Sequence, residues 1–399
     1  MSVVNISAAV TQPNTVPGAA KAHWAAPRLP DPKHRRWAVP LAVLGLLLAG
    51  AFLAASVVLI DRYAEAPGAA SAVGPRMSFD AVPRYEPDGA LLFVTLSGPH
   101  LTALQAFAGW LDPDVDELTF EERYGTVTPD QDRAINLQMM RSAKDDAPYV
   151  ALTKLGYPTE LVAGRVIVQS VLCLEADESG TKCVEYVPAD SFLDPGDEIV
   201  SVNGRNIEVR EDLSAALEGL VPGDRAEFVV RRVTAKDEDD TVTGSVELIA
   251  NPDDPARAFI GIQLADTSQV KLPFDVSIDT GAIGGPSAGL AFTLAILDEL
   301  TPGDLTGGAK VAVTGTIDVR GNVGPIGGLR QKSVAVEQSG AELFIVPASQ
   351  SDADLAAARK VLGEDRVVTV STLDEALAVL AGLGGNALEL GTPGADWAG

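Results

Sequence analysis

Residues 37 to 60, WAVPLAVLGLLLAGAFLAASVVLI, are 24 consecutive positions without a charge. An α-helix needs roughly 20 apolar residues to cross a bilayer core, so this run is long enough to span one. Pro40 falls in its first turn, where a missing N–H costs little. The basic cluster KHRR precedes it, and Asp61, Arg62 and Glu65 follow. The positive-inside bias then predicts a cytoplasmic N-terminus and ~340 residues on the far side. A cleaved leader is the competing reading, because Ala64-Glu65-Ala66 has the small-x-small form of a cut site. The length of the apolar region, the leader ahead of it and Pro67 after the would-be cut favour an uncleaved anchor.

Charge separates the two sides. Residues 1–36 carry five basic side chains against Asp31, a net of +4, so the formal −25 of the whole chain leaves −29 for the part after the apolar run. Such an acidic surface argues against nucleic acid, whose phosphates attract lysine and arginine. Most of these carboxylates read as a solvated face. Residues 1–36, with scattered prolines and alanines and no hydrophobic period, read as a disordered cytoplasmic tail. Residues 61–86 read as a linker.

Cys173 and Cys183 flank the polar stretch LEADESGTK between two apolar segments. The spacing suits a disulfide at the base of a hairpin in an oxidising compartment. Two unrelated buried thiols are the alternative. There is no CxxC and no Cys/His cluster, so neither a metal site nor a cofactor is expected.

Beyond the linker the texture changes twice. ALLFVTL is a compact strand signal, and Thr128-Pro129 opens a helix, with the threonine as cap and proline at the first helical position. From 157 to 250 short strands alternate with turns. GRVIVQSVL is a strand, LDPGDEIVSVNG combines a turn, a strand and an Asn203-Gly204 hairpin turn, EDLSAALEGL is a short helix, and RAEFVVRRV closes the segment. From 255 to 385 strands alternate with helices, including the almost wholly apolar PSAGLAFTLAILDEL. Residues 386–399 read as a tail.

Elimination narrows the chemistry. Of the three histidines, His23 and His34 precede the apolar run and only His100 follows it. A Ser-His-Asp triad would rest on that one residue. No GxxxxGK[ST] occurs, so no ATP-binding P-loop can be read. What remains is serine with a lysine base. In GGPSAG, Pro286 at the first helical position would set Ser287 in the first turn, where backbone N–H groups and the helix dipole favour developing negative charge. A plain helix cap fits the same serine. In LRQKSVAV, Lys332 shares a helical face with Leu329, Ala335 and Val336. Burial on that apolar stripe would depress its pKa and leave a neutral amine fit to act as general base. A lysine that snorkels to the surface is the alternative. Thr314 in VAVTGTI either orients the lysine or is an ordinary strand residue.

GGPSAGLAFTLAILDEL, VAVTGTIDVRGNVGPIGGLRQKSVAV and GAELFIVP, in that order, resemble the proteolytic domain of Lon-type serine proteases over residues 255–385. The resemblance implies a Ser-Lys dyad of Ser287 and Lys332, with Thr314 at the TG step. The segment 87–156 resembles the opening of the same domain, and 157–250 resembles a PDZ domain of bacterial envelope proteases. That second likeness implies a peptide groove between the GRVIVQSVL strand and the 211–218 helix. No glycine-rich carboxylate-binding loop precedes that strand.

The expected fold is therefore α+β: a Lon-type proteolytic domain with an inserted PDZ-like β-rich domain, preceded by one transmembrane helix. The arrangement resembles the membrane-bound, PDZ-containing Lon-like proteases of bacteria. It implies a single-pass protein of the bacterial cell membrane whose extracytoplasmic domain is an endopeptidase needing no ATP and acting on unfolded or extended polypeptides. A catalytically idle PDZ scaffold or peptide sensor is the rival reading. Oligomerisation stays open, because the ring of relatives that carry an ATPase module is not transferred to a chain without one.

Overall fold

The computed structural model describes residues 32–390, apart from 81, 126, 163, 177–182, 234–238, 253, 267 and 268. Residues 1–31 of the expected 1–36 tail, residues 391–399 of the expected 386–399 tail, and the tip of the segment between the two cysteines lie outside the described residues. Most of the apolar run forms a helix, α1 (Pro32–Val57), which differs from the expected 37–60. The helix takes in residues 32–36 of the expected tail and stops before Val58, and Leu59 and Ile60 enter the strand that follows it. None of its most apolar window, Trp37–Val57, is buried. From Ser56 onward the chain forms a separate unit.

That unit opens where a linker was expected. Residues 59–72 form a long strand, β1 (Leu59–Ala72). It runs antiparallel to β2 (Ala90–Ser97), with its register broken between Pro67 and Ala70. The correction has a clear physical cause. EAPGAASA carries neither the alternation nor the β-branched residues that mark a strand, so its place is set by its neighbour's ladder. After β2 come a short helix, α2 (Ala103–Trp110), and a long one, α3 (Pro129–Lys154). Thr128 caps α3 as the sequence implies, accepting the Gln131 N–H, with Pro129 at the first helical position.

An antiparallel module then interrupts the main sheet. Its strands are β3 (Val166–Val171), β4 (Glu198–Val202), β5 (Arg225–Val233), β6 (Asp239–Glu247) and β7 (Ile262–Asp266), with one helix, α4 (Arg210–Ala216), between β4 and β5. The spatial order is β6-β5-β4-β3-β7. The module has its own core around Phe228, Leu193, Ile199 and Leu248, all fully buried. Cys173 and Cys183 are joined in a disulfide, each beginning one strand of a small hairpin beside this sheet.

The chain returns to the first sheet through α5 (Gly289–Leu300), β8 (Lys310–Val313), α6 (Leu329–Ser339), β9 (Leu343–Pro347), α7 (Asp352–Leu362), β10 (Val367–Val370) and α8 (Leu373–Gly382). The order is β10-β9-β8-β2-β1, parallel from β10 to β2. Alternation along β2 shows how it is covered. Leu91 and Phe93 enter one core with α3, α5 and α8, while Leu92 and Val94 enter another with α6 and α7. Burial on both faces is what a parallel sheet requires. The expected tail from 386 begins packed rather than free. The Asn386 side-chain amide donates to the Pro302 carbonyl, and Ala387 is buried.

Candidate active site

The C-terminal end of β8 is where helices from the two faces of the sheet converge. Such strand ends are where α/β sheets place ligands. Thr314 directly follows β8, and its N–H donates to the Ile345 carbonyl of β9. From one face comes the turn that leads into α5, and from the other the first turn of α6.

The turn before α5 is shaped by two glycines. The Gly285 N–H donates to the Asn136 carbonyl of α3 at 2.7 Å, and Gly285 adopts φ +92°, a conformation that favours glycine. A Cβ at Gly284 would sit 2.8 Å from that of Asn136, so no side chain fits there. Helix α5 begins at Gly289, two residues after Ser287, with Ala288 as its N-cap residue and no side-chain cap. Ser287 therefore lies in the turn before the helix rather than in its first turn. The Ser287 carbonyl accepts the Gly315 N–H at 2.8 Å and the Thr314 hydroxyl at 3.2 Å, which ties this turn to the end of β8.

Lys332 is the fourth residue of α6. It is 3% exposed, so it does not snorkel. Its Nζ donates to Ser287 Oγ at 2.8 Å and to Thr314 Oγ1 at 3.3 Å. Burial lowers its pKa from 10.5 to about 8, against an opposing pull from the Glu65 carboxylate. The structure thus brings together Ser287, Lys332 and Thr314, the three residues singled out from the sequence. His100 goes elsewhere. It stacks on Tyr63 and its Nε2 bonds the Ile60 carbonyl at 2.7 Å.

Residues 262–382 match the Lon protease (S16) C-terminal proteolytic domain. The chain carries a Lon-type proteolytic domain. The matched segment begins at the first residue of β7 and contains Ser287, Thr314 and Lys332. Lon proteases of Chloroflexus aggregans and Desulfatibacillum aliphaticivorans are 35% and 36% identical over 106 and 108 residues, each covering 26% of this chain. The chain spans only 13% of the length of those two relatives. The solved PDZ domain of the SdrC-like protein from Listeria monocytogenes is 23% identical, with a TM-score of 0.19, over 26% of this chain and 90% of that one.

Three supports of the Lon-type site were not visible in the sequence. Glu65, on β1, supplies the acidic field at Lys332. The Asn136 carbonyl holds the turn before Ser287. Arg330 and Gln331, beside the lysine, both bond the Asp116 carboxylate, at 2.7 and 2.6 Å. Their partners lie some two hundred positions away, and no local pattern announces them.

Gly328 is the N-cap residue of α6, at φ +63°. A Cβ there would stand 2.4 Å from Leu96 Cδ1 and 2.5 Å from Glu65 Oε1. Alanine at such a position destabilises by more than ~1 kcal/mol. It would also displace the turn that aims Lys332. Gly328→Ala is expected to lower the thermal midpoint and to cut kcat/KM about tenfold or more, since small misplacements of catalytic groups are costly. Scanning calorimetry beside peptide hydrolysis measures both.

The antiparallel module corrects the groove expected from the sequence. The GRVIVQSVL strand, β3, is internal, held between β4 and β7. The edge strand is β7, and a groove of about 1100 Å³ lies beside it and α4. Its apolar lining includes Leu213, Leu217, Leu220, Ile260, Ile262 and Leu264. The turn Phe259-Ile260-Gly261, at φ +81° for Gly261, leads into β7 at this groove. The module is thus closed by a strand from beyond residue 250, the end expected from its alternating texture.

Proposed function

We propose that this protein is a membrane-anchored serine endopeptidase that works without ATP and outside the cytoplasm. The observation that carries the reading is a buried lysine amine 2.8 Å from a serine hydroxyl. Serine is a poor nucleophile until a neighbouring base takes its proton, and an amine lowered to about 8 is neutral often enough near neutral pH to do so. Ser287 Oγ attacks the scissile carbonyl as Lys332 accepts its proton. Lys332 then returns the proton to the leaving amine, and water hydrolyses the resulting acyl ester by the same base. Backbone N–H groups of the turn entering α5 stabilise the tetrahedral oxyanion. Thr314, bonded to both the lysine and the turn, keeps Nζ directed at Oγ.

The groove along β7 would receive an extended segment of the substrate as an added strand, which gives main-chain affinity with little dependence on sequence. Helix α1 anchors the chain, and the basic cluster before it favours a cytoplasmic N-terminus. An unfolded polypeptide carrying a quenched fluorophore, offered to the full-length protein in detergent micelles without nucleotide, tests the reading. Cleavage at a rate unchanged by ATP and magnesium is expected. Cleavage only when ATP is supplied would overturn it.

A further inference from the structure

Helix α2 has two apolar faces, and the fold uses one. Ala106 is buried with Ala64 and Leu101, against Ile60, Ala66 and Val115. Phe107, Trp110 and Leu111, spaced as neighbours on a helix, point away from this cluster and are 58%, 75% and 62% exposed. The two rings lie 6.2 Å apart, forming one continuous apolar surface. Isolated exposed apolar residues need no explanation, but a clustered aromatic patch does.

The position of the patch indicates its occupant. The apolar run of the sequence ends at Val58, Leu59 and Ile60. Leu59 registers against Thr102, the N-cap residue of α2, and the Ala103 N–H donates to the Val58 carbonyl at 3.2 Å. Helix α2 therefore starts beside the point where the chain leaves the apolar run, and its eight residues advance only about 12 Å from there. Val58 and Leu59 are themselves exposed, so apolar surface is presented at the run's end as well as at the patch. Tryptophan settles at a bilayer's headgroup level, with the indole N–H as a polar handle, and phenylalanine and leucine beside it form the apolar face that an interfacial helix buries.

We propose that α2 is a membrane foot, its Phe107–Trp110–Leu111 face seated in the bilayer surface. The proposal rests on the anchored reading of α1. The exposed carboxylate of Asp112 beside the patch, with the half-buried Asp114 two residues on, makes the partner a zwitterionic surface rather than an anionic one. The foot is also joined to the candidate site. In the segment after α2, the Pro113 carbonyl accepts from Arg330 at 2.6 Å, and Asp116 holds Arg330 and Gln331, the two residues before Lys332. Seating α2 in lipid would thus fix the site close above the membrane surface, within reach of segments that emerge from the bilayer.

The chain's four tryptophans include Trp37 at the start of the apolar run and Trp110 in the foot. Two full-length variants, each retaining only one of these and phenylalanine elsewhere, are placed in phosphatidylcholine vesicles with or without bromine near the headgroup end of the acyl chains. Unchanged thermal unfolding confirms that both fold. Brominated lipid is expected to remove roughly half of the Trp110 emission, as for a side chain at the interfacial boundary. Quenching of Trp37 without quenching of Trp110 would overturn the foot and leave the anchor standing. Quenching of neither would overturn both. Unquenched, blue-shifted Trp110 emission in a self-associated protein would assign the patch to a second copy of the chain, and would equally overturn the foot.

Discussion

Ser287→Ala is expected to lower kcat/KM on an unfolded polypeptide by about a thousandfold or more, because no other group can form the acyl intermediate. The fold should be nearly indifferent. The Ser287 side chain does not cap α5, and removing its hydroxyl breaks the 2.8 Å bond from Lys332. A single hydrogen bond is worth about 1 kcal/mol net. The backbone bonds that hold the turn, from Gly315 and to Asn136, do not involve the side chain. Circular dichroism and thermal melting beside hydrolysis rates separate loss of chemistry from loss of structure. An idle scaffold would show no difference between wild type and variant in turnover, and that outcome would favour the rival reading.

The second large effect concerns Lys332. With its pKa at about 8, roughly a tenth of the enzyme carries the neutral amine at pH 7. Activity should therefore rise about tenfold per pH unit below 8 and level off above it. Lys332→Met should abolish hydrolysis, by about a thousandfold or more, yet stabilise the protein. The sign follows from the lowered pKa. Between about 8 and 10.5 the unfolded chain holds a proton that the folded chain has released, so stability rises with pH across that window. Below pH 8 both states are protonated and the full cost of the buried charge is present. Methionine fills the same space without that cost. About 1–3 kcal/mol of stabilisation at pH 7 is expected, since a tenfold change in proton affinity is worth about 1.4 kcal/mol. A less stable Lys332→Met protein would mean that its bonds to Ser287 and Thr314 outweigh the burial of charge.

These residues stand out in the sequence because their chemistry is local. A serine among glycines at the mouth of an apolar helix, and a lysine on an apolar stripe, are both visible within a dozen positions. What joins them is visible only in three dimensions. β1 has the composition of a linker, and it becomes a strand because β2 offers it a ladder. Glu65 consequently faces the lysine from a stretch that reads as solvent-exposed. The start of α5 lies past Pro286 because the Gly284–Gly285 turn is held by Asn136 of α3, a contact 149 positions away in the chain. The groove strand was hidden for another reason. β7 closes the antiparallel module from the far side of residue 250, so the module's end in space is not its end in the alternating texture.

A fluorophosphonate probe with intact-mass and peptide mapping tests the Ser287–Lys332 pairing most directly, through the pH dependence of the labelling rate. The adduct is expected on Ser287, at a rate that climbs with pH, reaches half its plateau at about 8 and vanishes in Lys332→Met. An adduct on another serine, or a rate on Ser287 that ignores both pH and the loss of Lys332, would contradict the pairing of these two side chains as nucleophile and base.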